Sequence, residues 1–94
     1  MITKEQYLEA VNIIASSVYD FHERFQIPQI NIYGDKDSDI LEALSSRLVL
    51  QMEELGEFSQ AVSKACWFDV VHEAADVLYV ALGTILRFGE SGNV

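Results

Sequence analysis

Tyr7, Val11, Ile14, Val18, Phe21 and Phe25 recur at intervals of four and three, which places them on one stripe of a helix predicted to run from Lys4 to Phe25. Thr3 followed by Gln6 has the spacing of a capping box at its start. From Gln26 to Ser38 the period fails, and Pro28, Gly34 and the Asp-Lys-Asp-Ser-Asp run that starts at Asp35 read as a loop of about a dozen residues, long for a bare connector. A second helix is predicted from Asp39, read as its N-cap with Glu42 in the first turn, to between Lys64 and Cys66. Its apolar stripe is Leu41, Leu44, Leu48, Leu55 and Val62. Asp69 then caps a third helix whose expected buried side includes Val70, Ala74, Val77, Leu78, Ala81, Ile85 and Phe88, with Gly89 as its stop and a frayed tail over residues 90–94. No strand, repeat or domain boundary interrupts this pattern, so residues 1–94 read as one all-α domain, a helical hairpin plus an N-terminal helix. Three amphipathic helices are too few to enclose a four-helix core, and the bundle is expected to be completed by oligomerisation.

Size and charge sharpen that picture. A chain of 94 residues and 10.6 kDa, 50 % apolar and 22 % charged, can build one small core with little stability to spare, which again points to a partner chain. Fifteen acids against six bases give a net charge of -9, which argues against a nucleic-acid groove or an anionic membrane surface, both of which need clustered positive charge. The single Cys66 has no partner for an internal disulfide, and the start Met-Ile-Thr-Lys-Glu-Gln has neither the basic nor the apolar stretch of a signal peptide. The longest nearly apolar run, Val77 to Leu86, is about half of the roughly 20 residues that a bilayer demands. A cytoplasmic location is expected.

The acids are not evenly spread. Helix two carries Glu54 and Glu57, and helix three carries Glu73 and Asp76. In each pair the carboxylates stand three residues apart, about 60° around the helix and about 4.5 Å along it, so both look the same way. The midpoint of positions 57 and 73 is 65, and so is the midpoint of 54 and 76. If the chain turns there, the helices run antiparallel with Glu57 level with Glu73 and Glu54 level with Asp76. Four facing carboxylates repel, and desolvation raises their pKa values unless cations compensate. All-oxygen ligands select hard cations, so Mg2+ is expected, with Mn2+ possible. A di-iron carboxylate bundle fits less well because neither pair ends in His. Gly56 lies inside helix two, where glycine costs about 1 kcal/mol against alanine; with Ala74 and Ala75 it leaves room for close approach of backbone or ligand. Arg47 and Lys64, each seven residues from the acid stripe, and Arg87 are candidates to reach phosphate oxygens left over by the metal.

The stretches LVLQMEELGEFSQAV and HEAADVLYVAL resemble the MazG-like, all-α nucleoside triphosphate pyrophosphohydrolases, whose signature is ExxE, a gap, then ExxD. Here these are Glu54, Glu57, Glu73 and Asp76, and the resemblance runs from about Leu44 to Phe88, about half of the chain. It implies Mg2+-dependent hydrolysis of a nucleoside triphosphate between the α and β phosphates, in a dimer or tetramer. Glu53, beside the motif, is then a candidate base that orients the attacking water. The Phe-His-Glu-Arg-Phe stretch places His22 where a dCTP-preferring branch has a base-pocket histidine, and Trp67 lies near one of that branch's tryptophans. This implies a mild lean to pyrimidine deoxynucleotides. Asn31 and Tyr33 in the loop are free to touch sugar or base.

The reading that follows is a metal-dependent pyrophosphohydrolase that removes noncanonical or surplus deoxynucleoside triphosphates. Phosphoribosyl-ATP pyrophosphohydrolase, in the same superfamily, is an alternative substrate assignment. A noncatalytic acidic module that binds a protein, like small antitoxins or adaptors, is the rival from another class. It accounts for the charge but not for the level alignment of the two acid pairs.

Overall fold

A computed structural model describes residues 1–89, and the tail expected to fray, residues 90–94, lies outside them. Three helices follow in order: α1 (Lys4–Arg24), α2 (Asp37–Ser63) and α3 (Trp67–Arg87). There is no strand among the described residues. At the start of α1 the capping box forms, with Gln6 N–H donating to Thr3 Oγ1 at 3.1 Å and Thr3 N–H donating to Gln6 Oε1 at 2.9 Å. The other two starts differ from expectation. Helix α2 begins at Asp37 after Lys36, and α3 begins at Trp67 after Cys66, neither with a side-chain cap. Asp39 and Asp69 are therefore not N-caps. Each sits in the first turn, where its charge meets the positive end of the helix dipole.

The reason for the early start of α3 is the turn before it. The amides of Ala65 and Cys66 donate to the carbonyls of Val62 and Ala61, at 3.0 and 3.1 Å, and Ala65 takes a left-handed φ of 55°. This is a Schellman ending. It closes α2 and delivers the chain straight into α3, leaving no room for a cap at Asp69. The same device ends α1, with Gln26 at φ 50° and bonds from Gln26 N–H to Glu23 and from Ile27 N–H to His22. At the end of α3, Gly89 follows Phe88 with a φ of 53°, in keeping with its role as a stop.

Helix α3 is central. Helices α1 and α2 each pack on it rather than on each other. The loop between them is folded on itself: Asn31 Oδ1 accepts from Tyr33 N–H at 3.0 Å, and Asn31 N–H donates to Asp35 Oδ2 at 2.8 Å. Ile30, just before, is buried and its amide donates to the carbonyl of Arg87, which pins the loop to the end of α3.

The core is thin. Among the described residues only Val18, Ile30, Ala61 and Gly83 are fully buried. The face that α2 turns to α3 is Ile40, Leu44, Arg47, Gln51, Glu54, Phe58 and Ala61, apolar at both ends and polar in the middle. The expected stripe lies elsewhere: Leu41, Leu48, Leu55 and Val62, spaced by seven, are 46–67 % exposed, and only Leu44 of that set is half-buried. On α1 the packed residues are Val11, Ile14, Val18 and His22, while Tyr7, Phe21 and Phe25 stay exposed. On α3, Ala74 and Ile85 are exposed against expectation. Periodicity identified apolar faces correctly but not what they face.

These uncovered faces show in the dimensions. The radius of gyration is 15.3 Å, against about 12–13 Å for a compact chain of this length. The accessible surface is 7390 Å², against about 5,500 Å² for a compact monomer of this mass.

Left-handed alanine costs about 1 kcal/mol, part of which glycine returns as unfolded-chain entropy. Ala65→Gly is therefore expected to stabilise the hairpin by about 0.5 kcal/mol, a rise in Tm of roughly 2–4 °C by thermal denaturation. A fall in Tm would contradict the left-handed turn.

Candidate functional site

The three-residue turn centred on Ala65 sets the register of α2 against α3. Gln51 Nε2 donates to the carbonyl of Val77 at 3.2 Å, and Arg47 donates through Nη2 to the carbonyl of Val80 at 2.7 Å and through Nε to Thr84 Oγ1 at 3.1 Å. These partners sit at sums of residue numbers near 130, the antiparallel alignment that a turn at 65 imposes. That alignment brings Glu54 and Glu57 opposite Glu73 and Asp76. Carboxylate oxygens from all four lie within 4.8 Å of one another.

Glu54 and Glu73 are half-buried, whereas Glu57 and Asp76 are exposed. One oxygen of each inner acid, Glu54 Oε2 and Glu73 Oε2, is shut off from solvent and has no hydrogen-bond donor. Both groups are pushed above the ordinary carboxylate value, first by desolvation and then by the neighbouring carboxyls, with Glu57 acting on both. Such an arrangement is unfavourable unless something positive completes it. Two solvent-excluded oxygens without donors, in an all-carboxylate set, fit a hard divalent cation.

Residues 18–90 match the phosphoribosyl-ATP pyrophosphohydrolase family, part of the MazG-like all-α superfamily. The chain belongs to that family. Its members are pyrophosphohydrolases that act on phosphoanhydride bonds, which agrees with the activity class that the resemblance implied. The match reaches beyond the acid motif to the end of α1 and includes His22 and the whole inter-helix loop. Comparison with curated proteins and with solved structures gives no match.

The remaining candidate residues fall into two wings around the acids. Along α2, Arg47 and Lys64 lie about 10 Å from the acid pair on opposite sides. His22 joins Arg47 and Arg87 beyond one end. Trp67 lies beyond the other and is largely exposed. Gly83, which His22 abuts, is sixteen residues along α3 from Trp67, or about 24 Å. A single chain therefore does not bring His22 and Trp67 together on one base. Glu53 is exposed and outside the four-carboxylate cluster. Asn31 is occupied with its own turn, and Tyr33 points into solvent.

Gly56 does not do what its position suggested within this chain: a methyl there would touch nothing within 4 Å. The close approach occurs at Gly83, where a methyl would lie 2.6 Å from Arg47 Nη2 and 3.4 Å from His22 Nε2. Gly83, Thr84 and Gln51 went unread in the sequence. For Gln51 the signal was the spacing 47, 51, 54, 58 and 61, a helix face on which Arg, Gln and Glu follow one another; Gly83 and Thr84 had none.

Because Glu54 and Glu73 have raised values in the fold, their contribution to stability is complete below the ordinary 4.5 and is lost as pH rises through the raised values. His22 is lowered by burial and then by the charges of Arg47 and Arg87, so its contribution is present above 6.5 and is lost on acidification. The acid term is therefore read as a difference. In EDTA, Glu73→Gln should raise Tm more at pH 7 than at pH 5; with Mn2+ present it should lower Tm at pH 7. Equal shifts at both pH values without metal would contradict the repulsive cluster.

Proposed function

We propose that this protein is a Mg2+-dependent pyrophosphohydrolase, also served by Mn2+, that converts a nucleoside triphosphate to the monophosphate and pyrophosphate. The observation that carries this is the gathering of four carboxylates within 4.8 Å on two helices of a chain in the pyrophosphohydrolase family. Glu54, Glu57, Glu73 and Asp76 would hold the cation. When bound, it supplies charge neutralisation for the triphosphate and lowers the pKa of a water. Glu53, exposed and next to Glu54 in the chain, would accept the proton of the attacking water. Arg47 or Lys64, one on each side, would take phosphate oxygens not held by the metal.

The substrate on this reading is a surplus or noncanonical deoxynucleoside triphosphate, with a pyrimidine preferred. His22 and Trp67 would meet on one base only if the tryptophan came from a second copy. Phosphoribosyl-ATP is the second reading, favoured by the family to which the chain belongs. A noncatalytic adaptor leaves that membership unexplained.

A second copy is the occupant we assign to the exposed seam Leu41, Leu48, Leu55 and Val62. Its seven-residue spacing is that of a helix packed against another helix. The surface in excess of a compact monomer, about 1,900 Å² per protomer or about 3,800 Å² for a pair, lies in the range that permanent homodimer interfaces bury. No helix of the described residues is long and apolar enough to cross a membrane.

A panel of deoxynucleoside and ribonucleoside triphosphates plus phosphoribosyl-ATP, with Mg2+, should yield pyrophosphate and not orthophosphate from at least one member. Glu57→Gln should reduce kcat by at least about a hundredfold, since it removes a carboxylate on which the charge balance depends. Orthophosphate alone, or no turnover across the panel, would sink the reading.

Light scattering is expected to give at least twice the protomer mass of 10.6 kDa. Leu48→Glu, which puts a charge on the seam but touches no acid of the site, should shift that mass toward the monomer. An unchanged monomeric mass for the wild type would remove the second copy.

A further inference from the structure

Six side chains of the face that α2 turns to α3 are apolar or charged, and one is neither: Gln51. It is half-buried between Arg47 and Glu54, where leucine or methionine would pack at less cost in desolvation. What the amide gains there is one bond across the interface, from Nε2 to the carbonyl of Val77 at 3.2 Å. A backbone carbonyl has two lone pairs, so this bond takes nothing from the ladder of α3.

The place of the bond sets it apart. Gln51 stands three residues before Glu54, about 60° around α2 and about 4.5 Å along it, and Val77 directly follows Asp76. Gln51 therefore ties α2 to α3 within one turn of two of the four acids, one on each helix. Arg47 makes its bonds to Val80 and Thr84 a further turn away. On the other side of the acids the inner face is Phe58 and Ala61, whose contacts attract without fixing a direction.

The bond acts where the interface is repulsive. Four carboxylates within 4.8 Å push the helices apart until a cation arrives, and a cage that has relaxed outward must be drawn in again on binding. We infer that Gln51 is a positioning residue: its bond to Val77 holds the acids at the spacing of a small divalent cation before the cation binds, and so sets a preference for Mg2+ over Ca2+. Mg2+ needs near-ideal octahedral oxygens at about 2.0–2.1 Å, whereas Ca2+ accepts about six to eight at about 2.3–2.6 Å in irregular arrangements. A loosened cage therefore loses Mg2+ first. Gln51 acts through Glu54 and Asp76 and touches neither cation nor substrate in this role. The inference rests on the reading of the four acids as a cation site and adds what fixes their spacing.

The test is Mn2+ binding followed by electron paramagnetic resonance, with Mg2+ and Ca2+ as competitors and no substrate. Gln51→Met keeps the length of the side chain and removes the donor. It is expected to weaken Mn2+ and Mg2+ by at least about fivefold, the yield of one neutral hydrogen bond, and Ca2+ by less than about twofold. In EDTA its Tm should stay within about 2 °C of wild type, because the lost bond opposed a repulsion that the variant is free to relax. Leu44→Ala is the control for packing. It thins the same interface without removing the bond, and should lower Tm and leave the ratio of Mg2+ to Ca2+ affinity as it was. An unchanged ratio in Gln51→Met, or an equal change of ratio in Leu44→Ala, overturns the positioning role while the cation site stands. Wild-type protein that binds none of the three cations overturns the cation site itself, and this inference with it.

Discussion

Four like charges held within 4.8 Å are the constraint around which the hairpin is organised. Without a cation the contact between α2 and α3 is repulsive at its centre, so the attraction that keeps the helices together must come from either side. It does. Ile40 and Leu44 pack toward one end of the interface and Phe58 and Ala61 toward the other, while Arg47 and Gln51 reach across to carbonyls and a hydroxyl of α3. The turn adds the rest of the restraint, because a three-residue connection closed by two backbone bonds leaves the helices no freedom to slide. Register, rather than core volume, holds the acids level.

The charge balance of the whole chain follows from the same arrangement. The five acids at and beside the site account for more than half of the net -9, and removing them would leave -4 by subtraction. Negative charge first reads as a bar to phosphate-bearing partners. Gathered at one level it excludes only those that arrive without cations of their own. About two turns away the sign reverses, where the charges of Arg47 and Arg87 act on His22.

The acid register was legible because it needs only the helical period and one midpoint, and the structure turns where the arithmetic placed the turn, at residue 65. The helix starts were less legible. Asp39 and Asp69 have the chemistry of caps, yet the helices begin after Lys36 and Cys66, and at Cys66 the reason is the turn that closes α2 and leads straight into α3. The apolar stripe of α2 misled for a different reason. Hydrophobic period reports that a face is shielded somewhere, and Leu41, Leu48 and Leu55 are shielded nowhere within the chain. His22 and Trp67 have similar signals in the sequence, and only the third dimension shows them on opposite sides of the acids.

That misassignment carries a physical meaning. A helix in a bundle has one face for chemistry and one for cohesion, and α2 turns inward a face that is polar at its middle and turns Leu41, Leu48 and Leu55 outward. Cohesion within the chain is therefore confined to the two ends of the interface, away from the middle, where carboxylates must stand close and partly dry. An ordinary core would have excluded them, because buried acids next to packed leucines are tolerated only as neutral groups. With only four residues fully buried among those described, the isolated protomer has little hydrophobic burial to offset the repulsion at its centre. Anything that covers the outer seam and anything that neutralises the inner acids then stabilise the same hairpin. On this reading association and metal binding are linked through the folding of α2 against α3, with no direct contact required between the two surfaces.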